Sequence, residues 1–367
     1  MLTNIGINTF FKRGLIANRQ AIRRHSTTAQ LGCDVVTIGT ASLNLSKTME
    51  KSIHGWFNMI KTGDYKSAEE RMVHKGVFCG AMGNRVAVAN LGPNKPRVIS
   101  EYMQPFSKDI SDITLQRVML RQLSPNLMMA IGSYDLTKSG KVSGGHFSMI
   151  GNEYGKLLLV QSSVKIEGKA SIVVSETMPK HANGMPTLSI PEHSNNSPIS
   201  KQDFPIINVI NFISLRNQLT TLKAIKRWAT TAVLGEGDKI PKYFAVNAFF
   251  NGTMADKGAV VNSTENMPNA LREYMEIFLM GLENARFNEV NLMALNDELT
   301  LACGTYTFTK NGTDTTGHFS FVSDSYGDLY LHHSGVKIMD ESVIKLPGTH
   351  SIDEPRYPHL FPPTPPK

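Results

Sequence analysis

The sequence predicts an α+β protein built from two tandem copies of one domain, each with helices packed on one face of a curved antiparallel sheet. Three observations carry this. Residues 132–166 realign on 304–338 with a constant shift of 172, no gap, and 17 identities in 35 positions. The same shift superposes Trp56 on Trp228, Gly63 on Gly235, Phe78 on Phe250 and Glu101-Tyr102-Met103 on Glu273-Tyr274-Met275. Each copy reads as helices first and strands afterwards, the order of an α+β domain. A repeat this long is a domain, since solenoid units recur every ~20–50 residues.

Residues 1–33 contain Lys12, Arg13, Arg19, Arg23 and Arg24 and no acid. An Arg-rich, acid-free, Ser/Thr-containing start predicts a mitochondrial transit peptide and a matrix location, with plastid targeting as the alternative. The net charge of +7 is concentrated there, because the rest holds 33 basic and 31 acidic residues. No nucleic-acid partner is therefore expected. No apolar run approaches the ~18 residues of a membrane span. Cys33, Cys79 and Cys303 form no metal-binding spacing and are expected to be buried thiols. No cofactor motif is present; zinc or manganese would lack a recognisable ligand set.

The first domain is expected over 43–167. Its first helix, 43–61, aligns Met49, Ile53, Trp56, Phe57 and Ile60 on one face and stops at Gly63. The counterpart is expected from about 209 to 234, ending at Gly235. Short second helices (about 65–75 and 238–247) lead into strand segments ending at Gly80 and Gly252. A third helix is clearest at 268–280, with Pro268 near its start. Four strands follow at 113–122, 126–137, 143–151 and 155–166, and again at 285–294, 297–309, 315–323 and 327–338. Ser139-Gly140 and Asn311-Gly312 supply turns between them. The Pro-rich stretch 168–205 reads as a linker, 206–340 as the second domain, and 341–367 as an extended Pro-rich tail.

The order helix, "W…GD", short helix, "F-x-G", helix, then "G-x-Y…T-K-x-G…GHFS…YG-x-L-x-L" resembles the nuclear transport factor 2-like superfamily. That superfamily includes ketosteroid-isomerase-like, polyketide-cyclase-like (SnoaL-like) and calcium/calmodulin-dependent kinase II association domains, and the resemblance implies two cone-shaped domains. Tyr330-Leu331-His332-His333-Ser334-Gly335 resembles the "HHSS" ending of iota-class carbonic anhydrases. There the second His, the last Ser, and a Thr and Tyr on preceding strands line a small polar pocket. His333 matches that second His, whereas Gly335 stands where the last Ser is expected. In the first copy Ser162-Ser163 keeps both serines and Val160-Gln161 replaces both histidines.

The resemblance implies reversible hydration of CO2 to bicarbonate, a lyase reaction. His333 would act as general base or proton relay, with Ser334, Thr305 and Tyr306 bonding the substrate or water. His318, His332, Tyr134, His146, Ser162 and Ser163 are candidate substrate-binding residues. Strand alternation places Leu329, Leu331 and His333 on one face, expected to lie under the helices, with Tyr330, His332 and Ser334 on the other. His146 and His318, the histidines present in both copies, fall opposite Phe147 and Phe319. Two other readings stay open. One is a non-catalytic pseudo-dimer, or a homo-oligomer, that binds protein partners in a mitochondrial complex. The other is an isomerase or cyclase, against which stands the lack of a repeated strand carboxylate: Asp135 becomes Thr307 and Glu153 becomes Ser325.

Overall fold

The computed structural model describes residues 23–24, 32–82, 85–89, 107–164, 171–174, 206–211, 213–254, 257–262, 281–336 and 343–345, with isolated positions at 99, 103, 104, 271, 275, 278 and 279. The rest of the expected leader, linker, third helices and Pro-rich tail lies outside the described residues. The architecture is two mixed sheets with sparse helices. In the first half β1 (Arg23–Arg24) and β2 (Asp34–Ile38) precede the helix α1 (Leu43–Thr62). Then come β3 (Met72–Met82), β4 (Arg85–Ala89), β5 (Ile110–Ser124), β6 (Leu127–Lys138), β7 (Lys141–Asn152), β8 (Leu157–Val164) and β9 (Ser171–Val174). The second half repeats this as β10 (Ile206–Val209), α2 (Leu215–Val233), β11 (Phe244–Met254), β12 (Lys257–Asn262), β13 (Leu282–Ala294), β14 (Leu299–Lys310), β15 (Thr313–Asp324), β16 (Leu329–Val336) and β17 (Val343–Lys345).

Local chemistry sets the element ends. Ser42 and Ser214 cap α1 and α2, each side chain accepting a backbone N–H three residues on. Both helices end on a left-handed glycine, Gly63 and Gly235, each at φ 72°. A Cβ on either would meet nothing within 4 Å, so the requirement is purely conformational. Gly63→Ala and Gly235→Ala should each cost about 1 kcal/mol. Calorimetry is expected to show Tm lower by a few degrees for either variant, and less so for Asn at the same positions. The hairpins β6–β7 and β14–β15 turn through Ser139-Gly140 and Asn311-Gly312, all four at positive φ. That is the type I′ geometry whose twist matches paired strands.

Three expectations are corrected. The sheets are mixed, because β3 and β11 run parallel to β8 and β16. The second helix is shorter than expected in each half, a 3-10 turn (Tyr65–Ser67) with a four-residue helix (Ala68–Arg71) in the first and a 3-10 stretch (Gly237–Tyr243) in the second, after which the chain is already strand. Residues 206–209 are strand, and the long helix starts only at Leu215. The hairpin partners β4 and β12 were not expected at all. Of the third helix, the described residues Leu271, Met275 and Phe278 are helical and buried.

The sheet orders are β1-β2-β5-β6-β7-β8-β3-β4-β17 and β10-β13-β14-β15-β16-β11-β12-β9. The two halves therefore exchange strands. β9, which follows the first half, pairs parallel with β12 of the second, and β17, which follows the second, pairs parallel with β4 of the first. Ser171 opposes Lys257 and Val343 opposes Arg85, so the exchange obeys the same shift of 172 as the rest of the repeat.

Each sheet has two buried faces. One packs under its own helix, with Trp56, Phe57, Tyr134 and Phe147 in the first half and Trp228, Tyr306, Phe319 and Phe321 in the second. The other faces pack against each other in a single core that joins Val77, Ile131 and Leu159 to Phe249, Leu301 and Leu331. A one-residue bulge in each last strand decides which residue goes where. Ile150 pairs with Leu159 and Gly151 with Leu157; Val322 pairs with Leu331 and Ser323 with Leu329. The extra residues, Leu158 and Tyr330, turn Leu157 and Leu329 toward the helices and Leu159 and Leu331 toward the other half.

Candidate functional site

The bulge divides the predicted residues between two places. His333, expected under the helices, lies instead in the core between the halves, fully buried. His146, His318 and Ser163 lie there too, joined by Gln161, Ser148, Ser320 and Asn251. Thr305, opposite His318 in register, shares that face and has a buried hydroxyl without a partner among the described residues.

This polar layer is arranged about the pseudo-twofold. Ser148 Oγ bonds His333 Nδ1 at 2.8 Å, and the symmetric pair is Ser320 with Gln161. Gln161 Nε2 reaches His318 Nδ1 at 2.8 Å, where the mate is the stacked ring pair His333–His146, centroids 4.8 Å apart. Asn251 bonds His146 Nδ1 and donates to the Phe147 carbonyl at 2.9 Å. Ser163 Oγ lies 3.3 Å from His318 Nε2. The mate of that contact would join residue 335 to His146 Nε2, but Gly335 has no side chain, and His146 Nε2 has no partner among the described residues. A Cβ at 335 would collide with Ser163 Oγ and His318 Nε2. The Ser/Gly difference at 163 and 335 is thus complementary packing at the pseudo-axis, where two hydroxyls do not fit.

Burial keeps these imidazoles neutral. It holds His146 down to about 4 against the opposing Asn251 bond, and His318 to about 3 with help from His146. His333 lies well below its usual value, first through burial and then through His146, His318 and His332. Cys79 and Cys303 belong to the same core as free thiols, and the Cys303 thiol is pushed well up, first by its bond with Cys79 and then by burial. Among the described residues no three His, Cys, Asp or Glu side chains converge as metal ligands. The layer is a sealed polar seam, and neutral side chains bonded across it fix the register of one half on the other.

The second place is a cavity under α2. His332, Ser334 and Tyr306, three predicted residues, line it together with Trp228, Ala229 and Arg286. Its free space is about 10 Å³, the scale of a single water. His332 sits among the rings of Phe321, Trp228 and Phe250, at centroid distances of 4.5, 4.6 and 5.0 Å. Its Nδ1 and the indole Nε1 of Trp228 are both buried without a partner among the described residues. Burial among these rings brings the His332 imidazole to about 3.

The equivalent space in the first half is filled. Tyr134 Oη and Ser162 Oγ bond each other at 2.8 Å, and burial raises the Tyr134 phenol. Phe57 packs between Tyr134 and Phe147, centroids 5.0 and 5.2 Å away, where the second half has Ala229. Val160 occupies the place of His332. Sequence reasoning missed Trp228, Ala229 and Arg286 as lining residues. The signal was present in the repeat itself, as the substitutions Phe57 to Ala229, Thr114 to Arg286 and Val160 to His332.

No protein-family model matches the chain, and no curated protein does so either. Among solved structures, the chain is similar to a protein described as a calcium/calmodulin dependent protein kinase II association domain from Xanthomonas campestris. Identity is 21%, covering 34% of this chain and 87% of that one, with TM-score 0.28. A steroid delta-isomerase from Pseudomonas aeruginosa matches at 12% identity, covering 34% and 81%, with TM-score 0.25. An NTF-2 like protein of unknown function from Shewanella oneidensis MR-1 matches at 12%, covering 32% and 97%, with TM-score 0.27. No helix among the described residues is long and apolar enough to cross a membrane.

Proposed function

We propose that the chain is a mitochondrial tandem nuclear transport factor 2-like protein with two cone-shaped domains, whose second cone hydrates CO2 reversibly as iota-class carbonic anhydrases do. One observation carries the reading: the second copy sets an imidazole, His332, beside a cavity where Ala229 stands in the place of Phe57. The cavity is apolar and holds about one water as it stands, so the reading requires the surrounding rings to part to admit CO2, and nothing much larger is accommodated. Pockets for drug-sized ligands occupy about 300–1,000 Å³, so a steroid or polyketide substrate does not suit this one.

The role given to His333 by motif matching passes to His332. With the rings parted, its neutral Nδ1 accepts the hydrogen bond of a water beside CO2. As the water oxygen bonds to carbon, its proton passes to Nδ1 and the electron pair of one C=O bond moves onto oxygen, giving bicarbonate. Burial disfavours the imidazolium, so the proton is handed on at once, by way of the hydroxyl of Ser334, two residues along the same strand face. Ser334 and Tyr306 supply hydroxyls to orient the reactants.

Stopped-flow hydration of CO2 by the full chain, with and without added Zn2+ or Mn2+, tests this. The expected result is turnover above buffer that Ala229→Phe abolishes in a folded protein. Turnover equal to buffer under every condition would sink the reading. The competing reading, a non-catalytic assembly subunit, draws on the exposed Leu215 and Leu219, one turn apart on α2. It predicts stable co-migration with a larger complex and full function in Ala229→Phe.

A further inference from the structure

We propose that Cys79 and Cys303 are a modification site: a low-molecular-weight disulfide oxidises them to a single disulfide that staples the two halves through their shared core. Cys79 is on β3 of the first half and Cys303 on β14 of the second. Both carry free thiols and are fully buried in the core between the halves. Strand register brings them together. Cys79 lies opposite Gln161 on β8, and Cys303 lies opposite Ser320 on β15. Residues opposite each other share one face of a sheet, on strands about 4.8 Å apart. Gln161 and Ser320 hydrogen-bond to each other across the seam, so each cysteine stands one strand to the side of the same cross-half contact. The two thiols also bond each other. A small approach of β3 and β14 then completes a sulfur–sulfur bond of about 2.05 Å.

The oxidation is a balanced thiol–disulfide exchange. The thiolate of one cysteine attacks a sulfur of the oxidant, forming a mixed disulfide and releasing one reagent thiol. The thiolate of the other cysteine displaces the second reagent thiol and closes the link. The protons of both cysteines end on the released thiols, and the oxidant is reduced as the cysteines are oxidised. Only a thiolate attacks, and the mutual bond and burial keep the Cys303 thiol protonated in the closed core. Exchange therefore proceeds while the halves part or fold. The other half has Asn251 and Ile131 at the matching positions, and Cys33 belongs to the separate core under α1. One link alone can join the halves. It ties positions separated by most of both domains, where a cross-link removes the most freedom from the unfolded chain.

Refolding the reduced, urea-unfolded full chain in a buffer of reduced and oxidised glutathione tests this, because every thiol is then accessible. Incubating the native chain in the same buffer with sub-denaturing urea gives the same readout should refolding fail. After alkylation, peptide mass mapping should find Cys79 joined to Cys303, lighter by one hydrogen per cysteine, and Cys33 alkylated. The linked chain should melt about 5 °C above the reduced chain and return to the reduced Tm with dithiothreitol. Cys79→Ala and Cys303→Ala should each lose this response to glutathione. The proposal is overturned by a folded product in which Cys79 and Cys303 are alkylated, carry glutathione singly, or are linked to Cys33. A linked chain that melts no higher than the reduced one would equally overturn it.

Discussion

Acidification from pH 7 to 5 should unfold this protein or bring it to the edge of unfolding. Four histidines, His146, His318, His332 and His333, are buried and held neutral, with folded values of about 4, about 3, about 3 and well below the usual range. In the unfolded chain each titrates near 6.5. A group depressed on folding contributes stability above its unfolded pKa and loses it as pH falls toward the folded value. Each histidine then costs a little over 1 kcal/mol per pH unit below 6.5, and four together about 5 kcal/mol per unit. By pH 5 the loss is roughly 8 kcal/mol, comparable with the whole stability of an ordinary domain. Most carboxylates titrate lower, so the window from 6.5 to 5 isolates the histidines. Urea unfolding at several pH values should show uptake of about four protons. His333→Gln, which copies Gln161 of the other half, should remove about one of them. Stability that stays flat between pH 7 and 5 would show that the seam is not closed to water.

Gly335→Ser should destabilise by about 1–3 kcal/mol, the usual range for overpacking, although it restores the second serine of the motif the chain resembles. The added Cβ meets Ser163 Oγ and His318 Nε2 across the pseudo-axis. Ser163→Gly alone should also cost stability, by removing the hydroxyl 3.3 Å from His318 Nε2. The double variant Ser163→Gly/Gly335→Ser mirrors the natural arrangement, moving the hydroxyl to the side of the unpartnered His146 Nε2. It should recover most of what Gly335→Ser loses. Strict additivity of the two changes in a double-mutant cycle would mean that the two positions do not share one space.

What the sequence revealed, and what it hid, follows from how each feature is encoded. Gly63, Gly235 and the Ser139-Gly140 and Asn311-Gly312 turns are local requirements written in single residues, so the C-terminal ends of both long helices and the β6–β7 and β14–β15 hairpins were legible. The ungapped shift of 172 made the paired halves legible too. The bulges at Leu158 and Tyr330 were not, because nothing in an apolar run marks an extra residue, and that one residue moved His333 from the expected pocket to the seam. The exchanged strands β9 and β17 lie within Pro-rich surroundings and depend on pairing with the opposite half, a contact no local pattern announces. The cavity was legible only by comparing copies, since Ala229 is unremarkable until set beside Phe57.

His332 and His333 are adjacent residues on opposite faces of β16, the first proposed for chemistry and the second for architecture. CO2 hydration by folded His332→Ala and His333→Ala, each normalised to the folded fraction, separates them. His332→Ala should lose at least tenfold in kcat/KM with Tm little changed or raised, whereas His333→Ala should keep its activity per folded molecule and lose stability. Activity that survives in His332→Ala and disappears in folded His333→Ala would contradict the account and return the reaction to the seam between the halves.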